Sequence, residues 1–483
     1  MCGAYSPFDK KQTGDHMKHE VMRMENITYN HKGMNILNNF FINLFHGELL
    51  GIIIHNSVEK SHLIDLLCGN LELKRGRTYF ENISIDYVHY KHISKKRIFL
   101  IQSKPKLIDN MTVADNIFII RNMSWRYIFE KPKFSLKAQS FLKKLGIAID
   151  PKRTVNTLSA FEKVALEITK SYALNANIII LENLSSYLAD SELSKLVAVI
   201  NDLKKEGMSF LMFDSFVDVL KKFSDRICVI KNGLNVWTLK KDQINENIIN
   251  AFFFNPQKLI SENFHEKNAI AMKFVNISTE NLAPLSFEIR SGQIMSLFDK
   301  DGSCIDEIIS ILNGNNTSYT GNIFIGDKLL KNKKKGEYVK TGLAIITENP
   351  VKSMLLENIS AVENLFFATI GKLNKFWVTS KYYTNCKQNY GSVFTDVDLD
   401  KCTDTLSIYD QQKLVYLKWH LYNPYVVVCI RPFSSADTEL RKVTSEMMEL
   451  LLKKGIAILV LGSNYSEVDS IDTKIIIRSK KNP

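Results

Sequence analysis

The fold is decided by the stretch Gly47-Glu-Leu-Leu-Gly-Ile-Ile-Ile-His-Asn-Ser-Val-Glu-Lys-Ser-His-Leu-Ile-Asp-Leu-Leu-Cys-Gly69. An apolar strand leads into a tight loop that ends in Lys60-Ser61, and a helical pattern follows. This layout predicts a phosphate-binding loop, or P-loop, in which backbone N–H groups and a lysine hold phosphates at a helix N-terminus. Asn56 and Ser57 lie in the same loop, so we count them among the candidate nucleotide contacts.

The loop departs from the P-loop motif at Ile54, Ser57 and Glu59, where the motif has glycine. A Cβ atom at these positions crowds the approach of the backbone to a phosphate and disfavours positive φ angles. Glu59 also places a negative charge where a polyphosphate would lie. We therefore expect this loop to bind ATP weakly or in an altered way.

Length and composition indicate a globular chain of 483 residues with two or three domains. No apolar run approaches the roughly 18–20 residues that span a bilayer, and residues 1–19 are predicted to be a disordered tail. The seven cysteines form no Cys-x-x-Cys pair, which favours free thiols in a reducing compartment. The histidines show no metal-ligand spacing.

The net charge of +12 is spread in short basic runs without interleaved aromatic residues. This pattern favours a solvated basic surface, with weak attraction to an anionic membrane leaflet as the alternative. No nucleic-acid partner is expected.

The sequence repeats itself at long range. Gly47 returns as Gly292 and Gly69 as Gly314, both 245 residues later, while Asn116 returns as Asn364, 248 residues later. Equal offsets indicate a duplicated domain, and they are too long for a solenoid repeat. We predict a first domain over residues 20–245, a linker over 246–265 and a second domain over 266–483.

Each half mixes buried strands with helices. Short apolar runs predict strands at 97–101, 177–181, 209–213 and 226–230, and again at 426–430 and 457–461. Helical patterns lie between them, at 160–174 and 191–205. Alternation of buried strands with helices predicts α/β domains with helices on the faces of each sheet.

The run Leu406–Pro424 resembles the signature helix of an ATP-binding cassette (ABC). It is most similar to the second cassette of bacterial simple-sugar importers of the ribose, galactose and xylose type, through Gln411-Gln-Lys413, Lys418-Trp419 and Asn423-Pro424. The ATPase subunits of that family carry two fused cassettes of about this length. The resemblance therefore covers nearly the whole chain after the tail and implies two tandem P-loop ABC cassettes.

Further segments of both halves are similar to family motifs. They are the Q-loop residue Gln102, the first signature motif Leu158-Ser159, the D-loop region Ser185–Leu188 and the second Q-loop region Glu348-Asn349. In the family, two nucleotides lie between the cassettes, and each site joins the P-loop of one cassette to the signature of the other.

The resemblance implies a role for several residues of the first site. Lys60 would reach the β- and γ-phosphates, and Ser61 would bind magnesium. Glu182 would hold magnesium through water, and Gln102 would contact nucleotide and magnesium. The signature serines Ser159 and Ser407 would face the phosphates. ATP and Mg²⁺ are the implied cofactors.

The resemblance also shows what the first site lacks. Asn183 stands where the family has the catalytic glutamate, and an amide cannot act as a general base. Asp214 replaces the switch histidine, although an aspartate there is expected to cap a turn. Tyr29 and Phe274 are candidates to stack on adenine, with core packing as the favoured alternative.

The second site departs further from the family pattern. Gly302 survives in the P-loop, but Ile305 holds the lysine position. Arg431 stands where the catalytic glutamate is expected, and Ser463 replaces the switch histidine. Both signature motifs have lost their glycines, to Ala160-Phe161 and Ile408-Tyr409.

Two functions remain open from the sequence. The chain is expected to be the ATP-binding subunit of a simple-sugar-type ABC importer, with nucleotide mainly at the first P-loop and weak or absent hydrolysis. The alternative is a catalytically inactive pseudoenzyme that acts as a scaffold or regulatory partner. The resemblance implies integral-membrane permease subunits as partners, pairing of cassettes within the chain or in a dimer, and a cytoplasmic position on the inner face of the cell membrane.

Overall fold

The computed structural model describes residues 19–31, 34–54, 56–73, 75–103, 105–118, 126–243, 269–299, 303–330, 337–369, 384, 388, 390–394, 398–434, 436–462, 471 and 473–480. The predicted tail, except for its last residue, and the predicted linker 246–265 lie outside these residues. The domain boundaries remain predictions. The first half below means residues 19–243, and the second half means residues 269–480.

The first half contains two sheets. An antiparallel sheet has the strand order β2-β1-β4-β5, and a mixed sheet has the order β10-β9-β3-β8-β7-β6, parallel except for β10. The strands are β1 (Glu20–His31), β2 (Met34–Phe45), β3 (Leu49–Ile54), β4 (Arg75–Phe80), β5 (Ile83–Ile85), β6 (Ile98–Ile101), β7 (Ile178–Glu182), β8 (Ser209–Phe213), β9 (Arg226–Lys231) and β10 (Leu234–Lys240). The helices are α1 (Ser57–Leu67), α2 (Tyr87–Arg97), α3 (Val113–Phe118), α4 (Arg126–Lys144), α5 (Ala160–Ala173), α6 (Asp190–Lys205) and α7 (Val217–Phe223).

The second half repeats this plan. Its antiparallel sheet has the order β12-β11-β14-β15, and its parallel sheet has the order β16-β17-β18-β13-β19. The strands are β11 (Ile270–Ser278), β12 (Leu285–Arg290), β13 (Ile294–Phe298), β14 (Thr320–Ile325), β15 (Lys328–Leu329), β16 (Leu343–Ile346), β17 (Val426–Ile430), β18 (Ala457–Gly462) and β19 (Lys474–Ile476). The helices are α8 (Ser303–Leu312), α9 (Glu337–Lys340), α10 (Pro350–Met354), α11 (Ala361–Phe367), α12 (Ile408–Tyr422) and α13 (Thr438–Lys453).

The predicted core strands are confirmed to within a residue or two. Strands β8, β17 and β18 are buried at every position, because helices cover both faces of a parallel sheet. The predicted helices are also confirmed as α5 and α6. Periodicity located these elements because a strand buried on both faces requires a continuous apolar run.

The repeated landmarks have matching structural roles. The side-chain amide of Asn116 donates to the carbonyls of Ile108 and Thr112, and its oxygen accepts the N–H of Ile108. Asn364 makes the corresponding bonds, to both backbone groups of Leu356 and to the carbonyl of Ser360, and it also donates to the Thr403 hydroxyl over 2.6 Å. A buried asparagine that ties a loop to the following helix therefore occurs once in each half. This equivalence supports the duplication that the offsets predict.

The two halves contact each other directly. One hydrophobic cluster contains buried residues of both, including Leu49 and Ile294. The guanidinium of Arg441 lies 3.8 Å from the ring centroid of Phe216, a cation–π contact between α13 and the start of α7. The Ser57 N–H donates to Asp437 over 2.9 Å. The first P-loop therefore faces the segment that precedes α13.

Other predictions concern the chain as a whole. In the part of the chain that the structure describes, no helix is both long enough and apolar enough to cross a bilayer. Cysteines 68, 228, 304, 402 and 429 are free thiols.

Candidate functional site

The first P-loop is positioned by a buried strand and a capped helix. Strand β3 lies between β8 and β9, so its carboxyl end is fixed at the centre of the sheet. Helix α1 begins at Ser57, and the side-chain oxygen of Asn56 accepts the N–H of Val58 over 2.7 Å. Asparagine is among the preferred residues at this capping position. Asn56 therefore starts the helix that carries Lys60.

Three residues that the sequence assigned to the first site lie together. The Lys60 Nζ atom is 3.6 Å from Glu182 Oε1, and both side chains are largely buried. Gln102 donates from Nε2 to the other carboxylate oxygen of Glu182 over 3.1 Å. These groups come from α1, the end of β7 and the residue after β6, at neighbouring carboxyl ends of one sheet. The Ser61 side chain, one residue beyond Lys60, is exposed.

Two N–H groups of the first P-loop already have protein acceptors. Asp437 of the second half accepts the Ser57 N–H, and Asn56 accepts the Val58 N–H. A phosphate that used these donors would have to share or displace those contacts. The roles expected of Asn56 and Ser57 as direct nucleotide contacts stay predictions, and the Asn56 side-chain oxygen and the Ser57 N–H are already engaged within the protein.

The Glu59 side chain is tied to a turn of the first sheet. Its carboxylate accepts the N–H of Gly233, in the turn between β9 and β10, over 3.2 Å. Burial raises the pKa of Glu59, and the Gly233 bond partly opposes that rise. The carboxylate is therefore anchored to the Gly233 turn, and the expectation that its charge lies beside a polyphosphate stays a prediction.

Asn183 and Asp214 stand at the two positions that support hydrolysis in the family. Asn183 follows β7 in a left-handed backbone conformation, with φ of 50°. Its side-chain oxygen is buried without a hydrogen-bond partner among the described residues. Asp214 accepts the N–H groups of Ser185 and Phe216 and the Ser185 hydroxyl. Its predicted turn-capping role is confirmed, and burial raises its pKa.

Ser159 and Ser407 cap the signature helices. Ser159 accepts the Glu162 N–H, and Ser407 accepts the Asp410 N–H. Ser407 also donates to the Asp410 carboxylate over 2.6 Å. Their hydroxyls are therefore used within their own helices, as is typical of N-caps. The neighbouring Ile408 lines a cavity of about 380 Å³ between the halves, which Ser57 also lines.

The second P-loop differs from the first. Asp299, at the end of β13, accepts the N–H groups of Cys304 and Ile305 through one oxygen, at 2.7 and 3.3 Å. Ile305, in the lysine position, is fully buried. The Gly302 that the sequence assigned to nucleotide binding lies outside the described residues, as does Ser463.

In the second half, the residue after strand β17 is the positively charged Arg431. Arg431 lies 3.1 Å from Asp306 and 3.8 Å from Glu348. Ser434 donates to Glu348 over 2.9 Å. The signs of the charges are opposite to those of the first half. There, the loop carries the ammonium of Lys60 and the strand end carries the carboxylate of Glu182. Here, Asp306 aligns with Ser61 and brings a carboxylate to the start of the helix, and the strand end carries a guanidinium. Among the residues of this arrangement that the structure describes, none offers an ammonium to a phosphate, and the described strand end carries no carboxylate for a metal.

The aromatic candidates divide between two environments. Phe274 is buried and stacks on Phe287 with ring centroids 4.5 Å apart, so the core-packing interpretation is confirmed for it. Tyr29 is partly buried and lies 5.8 Å from the ring of His62, which also contacts His31. The base-stacking role of Tyr29 remains a prediction.

Sequence reasoning missed Asp437 and Asp299. Asp437 caps α13 by accepting the Leu440 N–H over 2.8 Å, and it contacts Ser57 of the other half. An aspartate before a helical pattern predicts a cap, but nothing local indicates a partner 380 residues away. Asp299 aligns with Ile54 at the 245-residue offset, and its role as a hydrogen-bond acceptor depends on the tertiary structure.

Comparisons with known proteins show which proteins this chain resembles. The sequence profile described as ABC transporter matches residues 37–185. A ribose import ATP-binding protein of Clostridium perfringens is 24% identical over 95% of this chain and 94% of its own length. A galactose/methyl galactoside import ATP-binding protein of Treponema denticola is 25% identical over 96% and 95%. A xylose import ATP-binding protein of Geobacillus kaustophilus is 23% identical over 96% and 95%.

These relatives are matched along both halves of the chain. The resemblance to the tandem-cassette subunits of simple-sugar ABC importers is therefore confirmed. The chain has the α/β fold of two tandem P-loop ABC cassettes.

Proposed function

We propose that this chain is the nucleotide-binding subunit of a simple-sugar-type ABC importer that holds ATP at its first P-loop and hydrolyses it slowly or not at all. The observation that carries the proposal is the cluster of Lys60, Glu182 and Gln102 at the carboxyl edge of the first sheet. The relatives named for ribose, galactose and xylose import support the class of substrate. Permease subunits and a position on the inner membrane face belong to the same proposal.

The donor set of the first site fits ATP with Mg²⁺. Lys60 supplies a cation for the β- and γ-phosphates, next to a helix N-terminus that favours anions. The Ser61 hydroxyl and the Glu182 carboxylate are the oxygen ligands that a hard cation prefers. Bound magnesium would neutralise phosphate charge. Gln102 holds the Glu182 carboxylate in place, because its amide donates to it.

Slow hydrolysis is expected because Asn183 follows the end of β7. A water that attacks the γ-phosphate needs a residue that orients it and accepts its proton. Asn183 offers an amide, which orients but does not accept a proton near neutral pH. Asp214 is committed to Ser185 and Phe216. The first half therefore supports holding a nucleotide better than splitting it.

The test is Mg-ATP binding by the purified full chain. Wild-type protein is expected to show a saturable rise in Tm with Mg-ATP, and Lys60→Ala should lose at least 10-fold in affinity, since a charge-assisted phosphate contact contributes about 1.5–3 kcal/mol. Lys205→Ala is the matched control, because Lys205 is an exposed lysine of α6 that pairs with Asp202.

Two results would contradict the proposal. Absence of both ATPase activity and ATP-dependent stabilisation in the wild type would reject nucleotide binding. Equal affinity in Lys60→Ala and Lys205→Ala would place any nucleotide elsewhere.

A second candidate is a pseudoenzyme that keeps the cassette fold as a scaffold or regulatory partner. Arg431 in the place of a catalytic carboxylate and Asn183 in the first half favour it. Capture of permease subunits by the tagged full chain, with and without Mg-ATP, separates the two. The importer proposal expects capture that responds to ATP, and the scaffold expects capture that does not.

A further inference from the structure

We propose that Glu167 is a positioning residue of the first nucleotide site: it holds the Q-loop, the segment that follows β6, in the place where Gln102 meets Glu182. The Lys106 N–H, four residues after Gln102, donates to one oxygen of the Glu167 carboxylate over 2.9 Å. Glu167 belongs to α5, the signature helix of the first half, and the residue is 2% exposed. The inference rests on the proposed function and deepens it, because it adds a residue to the same site.

The Q-loop is held at two points by neighbouring helices. Glu167 of α5 accepts the Lys106 N–H, and Asn116 of α3 bonds both backbone groups of Ile108. Gln102 is therefore attached to a segment whose position is set only a few residues further along the chain. Removal of the first point lets that segment shift and weakens the alignment of the Gln102 amide.

The second half holds the corresponding loop at the same two points. At the 248-residue offset Met354 aligns with Lys106, and its carbonyl accepts the ammonium of Lys418 over 2.6 Å. Lys418 is a buried residue of α12 and aligns with Lys170 of α5. Asn364 supplies the second point. In each half, a buried charged group of the signature helix therefore fixes the loop backbone at one equivalent position.

Packing alone does not require a carboxylate at position 167. Val415 aligns with Glu167 at the same offset and is fully buried in α12, so the fold accepts an apolar side chain there. Burial raises the pKa of Glu167 to about 7, and the Lys106 N–H and the charge of the buried Lys170 partly oppose that rise. The charged form therefore costs free energy in this place. A costly buried group that bonds to the Q-loop points to a positioning role.

The test measures the ATP affinity of the purified full chain by calorimetric titration with Mg-ATP. Glu167→Val removes the acceptor and installs the residue type of the aligned position, whereas Glu167→Gln keeps an oxygen that can accept the Lys106 N–H. Lys418→Met is the matched control, because it removes the equivalent contact from the other half. Gln102→Ala, alone and combined with Glu167→Val, shows whether the two residues act together.

The expected result is a loss of affinity that depends on Gln102. Glu167→Val should lose about 5-fold in ATP affinity, and Glu167→Gln should recover most of that loss. Lys418→Met should lower Tm but leave the affinity within about 2-fold of the wild type. In the Gln102→Ala background, Glu167→Val should cause no further loss, because Glu167 acts through Gln102. A merely structural role would lower Tm without this rescue and without this coupling.

Hydrogen exchange of the wild type tests the same contact if Glu167→Val fails to fold. A contact that strengthens nucleotide binding must itself be strengthened by nucleotide, because linkage is reciprocal. Mg-ATP should therefore slow exchange of the peptide that contains Lys106 by about 3-fold or more. The peptide that contains Met354 is the internal control and should not change.

Three outcomes would overturn the inference: ATP affinity in Glu167→Val equal to that of the wild type, equal losses in Glu167→Val and Lys418→Met, or no effect of Mg-ATP on exchange at Lys106. In each of them ATP still binds through Lys60, so failure here is distinguishable from failure of the proposed function. Absence of ATP binding by the wild type would reject the proposed function and this inference together.

Discussion

Asp437 offers the sharpest test of how the two halves are joined. Its carboxylate caps α13 through the Leu440 N–H at 2.8 Å and accepts the Ser57 N–H of the first P-loop at 2.9 Å. The Tyr409 hydroxyl donates to it over 3.3 Å. Asp437→Ala removes all three interactions. Asp437→Ser keeps a good helix cap, but the shorter side chain no longer reaches Ser57 or Tyr409.

The expected magnitudes follow from these contacts. The cap contributes about 1 kcal/mol, the bond from the Ser57 N–H to a charged acceptor about 1.5 kcal/mol, and the long Tyr409 bond about 0.5 kcal/mol. Asp437→Ala should therefore lose about 3 kcal/mol and Asp437→Ser about 2 kcal/mol. If a unit of about 220 residues unfolds, these losses lower Tm by roughly 6 and 4 °C.

Scanning calorimetry of the full chain measures these shifts without nucleotide. The control is Asp86→Ser, because Asp86 is the N-cap of α2 and lies in an exposed part of the first half. Its Tm should stay close to that of the wild type. The reasoning is refuted if Asp437→Ser melts within 1 °C of the wild type, since the contact between the halves would then contribute nothing.

Two further predictions concern buried polar groups. Burial raises the pKa of Glu167 to about 7 in the folded chain, above its unfolded value of 4.5. Glu167 therefore contributes stability that is full below about pH 4.5 and is lost as the pH rises towards 7, by about 3 kcal/mol at most. Glu167→Gln should remove this slope, and urea unfolding at pH 5 and pH 7.5 measures the difference from the wild type. Asn116→Ala and Asn364→Ala should each cost about 2 kcal/mol, because each leaves backbone groups of Ile108 or Leu356 unpaired. Losses differing by more than about 1 kcal/mol would contradict the equivalence of the two halves.

Much of the fold was predictable from local pattern. The apolar runs predicted at 177–181 and 426–430 become interior strands, at 178–182 and 426–430, because both faces of each sheet are covered. The equal spacing of Asn116 and Asn364 indicated duplication, and their matching bonds explain why asparagine suits both places. The family resemblance predicted that Lys60, Glu182 and Gln102 belong to one site. They lie together because the carboxyl ends of parallel strands meet at one edge of the sheet.

The direction of individual side chains was not predictable. Glu59 was expected to face a phosphate, but its carboxylate is held by Gly233, 174 residues away. Asp299 occupies the position that aligns with Ile54. Its carboxylate accepts two N–H groups that come within reach only in the folded chain. Asp437 meets Ser57 across 380 residues. Contacts of this kind depend on tertiary geometry, on which local sequence pattern carries no information.

The most direct measurement is the number of nucleotides bound per chain. Equilibrium dialysis with labelled ATP and Mg²⁺ should give one nucleotide per chain for the wild type, and Lys60→Ala should lose it. The control Lys205→Ala should retain it. Two nucleotides per chain, or one nucleotide that persists in Lys60→Ala, would contradict the account in which the first P-loop is the place where this chain holds a nucleotide.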